Sequence, residues 1–198
     1  MGQYYTTLVK AKAGNSPMLK IDNESFDSWI GLKLTEHSWL GCVWADLLAY
    51  VLEKDVCRVA EVGDYADEYP LYYIAHGNQF SLENVDMDDY IKESDNDFAD
   101  EEWTPFDYKD KYLVNHDKEL YVDFNEYIEL SRDSHGDVLS PINLLCAKGN
   151  GRGGGDYYED FPNVDLVGEW AWDLLEITKE APEEYAKFNI YFKEQIDG

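Results

Sequence analysis

The residues of this chain best suited to chemistry by type and spacing lie in one glycine-rich stretch, CAKGNGRGGGDYYEDF, residues 146–161. Within it the spacing G-x-G-x-x-G falls on Gly149, Gly151 and Gly154. In a dinucleotide site that spacing follows a strand and opens a helix, whose N-terminal amides receive a pyrophosphate. The apolar run Ile142–Ala147 predicts the strand. The helix is missing, because Asp156, Glu159, Asp160 and Pro162 follow the glycines and read as a turn. Together with Asp165 these acids repel phosphate, and only Lys148 and Arg152 offset them. Neither a Walker pattern nor the set of motifs that accompanies a kinase loop is present. A glycine run of this kind more often lets backbone fold closely over aromatic side chains. The ligand alternative is a nucleotide or other small molecule bound or sequestered by Lys148, Gly149, Gly151, Arg152 and Gly154, with His37 or Asp64 near the reacting group.

The other reactive residue types give weaker patterns. His37 stands between Glu36 and Ser38, but neighbours in sequence point in different directions, whereas a catalytic triad converges from separate segments. His37 is expected at the start of a helix. His76, His116 and His135 fall in turn-like contexts, and no two histidines have the i, i+4 spacing of a helical metal site. Asp64 and Asp67 in GDYADE could pair for acid–base or metal chemistry, yet a chain with 42 Asp and Glu brings carboxylates together by chance. The segment DNDFADEE (95–102) has the composition of a calcium loop without its glycine at the sixth position or its glutamate at the twelfth. These patterns predict no catalytic residue, no metal site and no cofactor.

Charge is the more informative property. Sixteen Lys and Arg against 42 Asp and Glu leave a net charge of −26. Duplex DNA carries one charge per ~1.7 Å of axis, so that total matches about 44 Å of duplex. A compact chain of this length has a diameter of roughly 40 Å. Nucleic acid and anionic membranes are poor partners for such a protein, and basic protein surfaces are good ones. The acids are densest in residues 83–110, where twelve Asp and Glu face only Lys92 and Lys109, with Tyr90, Phe98, Trp103, Phe106 and Tyr108 interleaved. Alternating acids and aromatics supply both steering and anchoring. The expected contact residues are Asp86, Asp88, Asp89, Asp95, Asp97, Asp100, Glu101 and Glu102, with Phe98 and Trp103 as anchors. The bland alternative is a solvated face, or adaptation to high salt. The functional expectation is an acidic inhibitor, encoded by a phage or mobile element. It would occlude the basic, nucleic-acid-binding surface of a bacterial defence protein by mimicking DNA. An immunity-type protein with a single cognate partner is a third reading.

The elements that must position these residues are strands more than helices. QYYTTLV (3–9) is rich in β-formers, and a return strand is expected near Met18–Ile21. Leu40, Val43, Trp44, Leu47, Leu48, Val51 and Leu52 recur at helical spacing, which predicts the main helix at about 38–54 with Ser38 as its N-cap. Cys57–Val62 reads as a buried strand stopped by Gly63-Asp64, and Leu71–Ala75 as a further strand. KYLVNHDKELYVDF (111–124) reads as a β-hairpin turning near His116-Asp117-Lys118. Glu169–Thr178 fits a strand or a helix. The expected fold is α+β, one domain over 1–198, with an antiparallel or mixed sheet packed on one main helix and an acidic insertion at 83–110. Three cysteines without a C-x-x-C and no apolar run of membrane length point to a reducing, cytoplasmic setting.

Five segments, MGQYY, GLKLTEHSWLG (31–41), VGDYADE (62–68), YLVNHDKELYVD (112–123) and GNGRGGGDY (149–157), occur in this order. In them the chain resembles a family of small bacterial and phage proteins. The resemblance spans most of the chain, with 83–110 the least typical part. It implies a compact single domain of bacterial or phage origin, and it carries over no activity and no catalytic residue.

Overall fold

The computed structural model describes residues 3–13, 18–21, 33–76, 104–149, 157 and 161–193. It has an α+β architecture built on a mixed sheet. The strands are β1 (Tyr5–Ala11), β2 (Met18–Ile21), β3 (Cys57–Gly63), β4 (Tyr112–Asn115), β5 (Leu120–Asp123), β6 (Ala147–Lys148), β7 (Leu174–Thr178) and β8 (Ala186–Lys187). Their order is β2-β1-β3-β7-β4-β5-β8, and β6 also pairs with β3. β3 pairs antiparallel with β1 along its whole length, Tyr5 opposite Gly63 through Ala11 opposite Cys57. Its other edge is shared. Cys57 and Arg58 pair with β7, while Glu61 and Val62 pair in parallel with β6. Trp172 N donates to Val59 O at 2.6 Å and fills the gap between them.

Side-chain alternation gives β1 and β3 two different faces. Tyr5 and Val9 on β1 and Cys57 and Val59 on β3 join the larger core, and Leu8, Ala60 and Val62 join a smaller one on the opposite face. The larger core is closed by helix α2 (Val43–Lys54), preceded by a short helix α1 (Leu34–His37). Trp44, Leu48, Val51 and Leu52 of α2 are buried, as the helical spacing predicts. The helix starts four residues later than expected in its regular part, with Cys42 rather than Ser38 at the N-cap. Gly41, at φ +87°, makes the turn between the two helices.

Two other readings are corrected. Leu71–Ala75 is not a strand: helix α3 (Tyr72–His76) lies there and packs Ala75 on the smaller core. Ile142–Ala147 is not a strand either. Ser140 caps and Pro141 opens helix α5 (Pro141–Cys146), and only Ala147 and Lys148 are extended. Short apolar runs are ambiguous between a buried strand and a buried helix turn, and the Ser-Pro pair resolves this one. Helix α4 (Phe124–Ser131), unexpected after the hairpin, is capped by Asp123, whose side chain accepts from Asn125 N and Glu126 N. The hairpin itself forms as expected, with Tyr112 opposite Asp123 and Asn115 opposite Leu120.

Of the acidic stretch 83–110, residues 104–110 are described, and two of their side chains reach the core. Phe106 and Tyr108 are buried. Asp46 of α2 holds them, accepting from Phe106 N at 3.0 Å and from Tyr108 Oη at 2.7 Å. Burial, reinforced by that carboxylate, raises the Tyr108 phenol well above its ordinary pKa.

Candidate functional site

Glu61 is the residue that organises the polar interior. In β3 it shares a face with Cys57 and Val59, so its carboxylate faces the larger core, where it is fully buried. A buried carboxylate is tolerated only with partners, and two converge on it. His37 Nε2 lies 3.0 Å from Oε2, and Asn143 Nδ2 donates to Oε1 at 2.5 Å. His37 comes from α1 and Asn143 from α5, so the cluster ties three elements together. The His37 ring stacks on Trp44, with centroids 4.6 Å apart and 22° between planes. Trp44 Nε1 in turn donates to Thr7 Oγ1 at 2.8 Å, and Thr7 lies opposite Glu61 in the sheet. Ser38 and Ser140 join the backbones of α1 and α5, Ser140 N donating to Ser38 O at 2.6 Å. The Ser38 hydroxyl and the Asn143 carbonyl oxygen are buried without a partner.

His37 is therefore a buried member of a Glu–His–Asn network at the end of α1, not a residue at the start of a helix. Its partner could have been found from the alternation in CRVAEVG, where a glutamate occupies a core-facing position. Glu36 and Ser38, its sequence neighbours, do not join it. Glu36 is exposed and pairs with Lys33 at 2.8 Å.

The root of the glycine loop lies beside this network, since β6 carries Ala147 opposite Glu61 and then leads into Gly149. Gly149 has a packing reason. A β-carbon there would lie 2.2 Å from Tyr5 Oη and 2.9 Å from Gln3 Oε1. Gly63, at the matching end of β3, is equally crowded by the Gln3 side chain, 2.2 Å from the nearest atom. Both glycines thus let Gln3 and Tyr5 close over the strand ends. Lys148 is part of β6 and half-buried. Gly151, Arg152 and Gly154 lie outside the described residues. The strand expected ahead of a dinucleotide loop is replaced by α5 and two extended residues. Of the loop 149–155 only Gly149 is described, and it is packed closely by Gln3 and Tyr5.

Asp64 follows Gly63 and serves the backbone, its Oδ1 accepting from Tyr4 N at 3.0 Å. It is not brought to Asp67 by any hydrogen bond or shared ligand geometry among the described residues. Asp86, Asp88, Asp89, Asp95, Asp97, Phe98, Asp100, Glu101, Glu102 and Trp103 lie outside the described residues.

A second charged cluster fastens the hairpin turn. Arg58 NH1 bonds Asp117 Oδ2 at 2.7 Å, and Lys118 Nζ reaches Asp173 Oδ2 at 2.5 Å. His116 Nδ1 is 3.0 Å from Tyr185 Oη, and Nε2 is 3.1 Å from Glu176 Oε1. Lys111 pairs with Glu53 at 2.9 Å, and Lys187 pairs with Asp123 and Glu126. Four of the sixteen Lys and Arg are thereby committed to internal pairs.

No family model matches this chain, nor does any curated protein or solved structure. Among the described residues, no helix is long and apolar enough to cross a membrane, and no group of three or more His, Cys, Asp and Glu is arranged to hold a metal ion.

Proposed function

We propose that this is an acidic binding protein that occludes a basic, nucleic-acid-binding surface on a partner, presenting carboxylates where that partner expects phosphates. The finer form of the reading is a phage or mobile-element inhibitor of a bacterial defence protein acting in the cytoplasm. The observation that carries it is the net charge of −26, taken together with where the cations go. Lys33, Arg58, Lys111, Lys118 and Lys187 are each paired with carboxylates of the same chain. The acids left over set the field that an approaching partner meets. Such a field steers basic surfaces into fast encounter and repels nucleic acid. The nucleotide-binding alternative rests on Gly151, Arg152 and Gly154, which lie outside the described residues.

The test is capture of partners from a bacterial lysate on the immobilised protein, with the recovered complex then reconstituted from purified components. A partner that binds DNA, releases it when this protein is added, and loses affinity by orders of magnitude between about 50 and 200 mM salt meets the expectation. A partner with an acidic contact face, or binding indifferent to salt, overturns it.

A further inference from the structure

The carboxylate of Glu61 is fully buried, and among the described residues it bonds only His37 Nε2 at 3.0 Å and Asn143 Nδ2 at 2.5 Å. The orientation of Asn143 bears on the charge of this carboxylate. Its amide turns the NH2 group to Glu61 and leaves its own carbonyl oxygen buried without a partner. A neutral carboxylic acid carries a hydroxyl that needs an acceptor, so the opposite orientation would serve it. An amide that forgoes its acceptor to donate to the carboxyl oxygen suits the ionised form. The imidazole on the other oxygen is equally enclosed, with Trp44 stacked on it.

The groups around the pair supply no second countercharge to it. Thr7 on β1 and Trp44 on α2 are neutral. Cys42 at the N-cap of α2 and Cys146 on α5 both feel Glu61, and burial, reinforced by nearby carboxylates, raises both thiols. Asp46 on α2 is also buried, but its oxygens accept from Gly41 N, Phe106 N and Tyr108 Oη. Lys148 on β6 acts on Cys146 and makes no hydrogen bond or ion pair with Glu61. With one proton between them, Glu61 and His37 are neutral as a pair, imidazolium against carboxylate. A second proton leaves a buried cation beside a neutral acid, and an unpaired buried charge is costly. Of the two elements that carry the pair, β3 is held along its length by β1 and on its other edge by β6 and β7. Helix α1 is a single turn of four residues, and it is the one free to give way.

We propose that Glu61 and His37 form an acid-sensitive latch that holds α1 on β3, fastened while Glu61 is ionised and released when it takes up a proton. Unfolded glutamate takes up its proton near pH ~4.3 and unfolded histidine near pH ~6.5. The contribution of the latch is therefore present above the carboxylate range and is lost as pH falls through it. Replacing Glu61 by glutamine removes the countercharge at every pH. Release then moves up to the range in which histidine takes up its proton. The device is independent of the acidic-binding reading.

The test is hydrogen exchange of the full-length protein followed by mass spectrometry, each rate corrected for its intrinsic value at that pH. The quantity read is the exchange of residues 34–40 relative to residues 46–54 of α2. In the parent this ratio should stay level from pH 8 to pH 5 and rise about tenfold by about pH 3.3. In Glu61→Gln it should rise about tenfold between pH 8 and about pH 5.5, where an unfolded histidine is tenfold more protonated than neutral. His37→Gln should raise the ratio equally at all pH values from 8 to 5. Asp46 is common to all three proteins, so the differences isolate the pair. A ratio in Glu61→Gln that stays level down to pH 5.5 overturns the latch. So does a parent in which the two segments accelerate in step as acid is added, a result that decides the matter even if Glu61→Gln does not fold.

Discussion

Glu61 shows how much a single side chain can be asked to do. Its two carboxylate oxygens are used by His37 and Asn143 at full burial, so removing it strands two polar groups in the core. Glu61→Ala is expected to cost about 3–5 kcal/mol, read from urea unfolding. Ser38→Ala, one position from His37, should be neutral or slightly stabilising, because the hydroxyl it deletes is buried without a partner. A Ser38→Ala variant as damaged as Glu61→Ala would show that the hydroxyl has an essential partner. Gly149→Ala tests the close approach at the loop root. Driving a β-carbon against Tyr5 Oη should cost about 1–3 kcal/mol. Tyr5→Phe in the same chain removes the nearest atom, so the double variant should lose less than the sum of the singles. Strict additivity would mean that the glycine serves something other than this contact.

At the scale of elements, the hairpin β4–β5 is anchored at its turn by charge as well as by pairing. Asp117 accepts from Arg58 NH1 and from Leu174 N, joining the turn to β3 and β7. The hydrogen bond from Arg58 holds the Asp117 carboxyl below its ordinary pKa. A carboxylate with a depressed folded pKa stabilises the fold above its unfolded value of about 3.9, and that contribution fades as pH falls through the lower folded value. Asp117→Asn should therefore lower stability near neutral pH and flatten the acid limb of the stability profile below about pH 4. The pair is more than a third exposed, so the effect is modest. Thermal melts of parent and variant between pH 2.5 and pH 7 would measure it, and parallel profiles would exclude the pair as a contributor. Among the elements themselves, α2 and the hairpin are legible because each declares itself within one window, by helical spacing or by alternation about a polar turn. Helix α5 is not, because six apolar residues fit either class until Ser140 and Pro141 are read as cap and first turn. Helix α4 announces itself only by Asp123 and the Glu126 that follows three residues later, a cap inside what looks like the end of a strand.

For the whole molecule, self-repulsion sets a simple expectation. With −26 on a chain of this size, screening relieves the folded state more than the expanded one. The melting temperature should rise between about 10 and 500 mM monovalent salt, over which the Debye length falls from ~30 Å to only a few Å. A fall in melting temperature over that range would mean that the internal pairs of Arg58, Lys111, Lys118 and Lys187 outweigh the repulsion. Binding of a basic partner should move oppositely, weakening as salt rises.

What the amino-acid order determines by itself is what periodicity and composition carry: the α+β class, strands β1 to β3, helix α2, the hairpin, and the excess of negative charge. These depend on neighbours within a few residues or on a sum over the chain. Tertiary structure alone decided the rest. Glu61, His37 and Asn143 are separated by 24 and 82 positions along the chain, and only the placement of α1 and α5 against β3 brings them together. The same folding placed Gly149 against Tyr5. Each of these relations belongs to two segments at once, and no local pattern records a contact whose other half lies elsewhere in the chain.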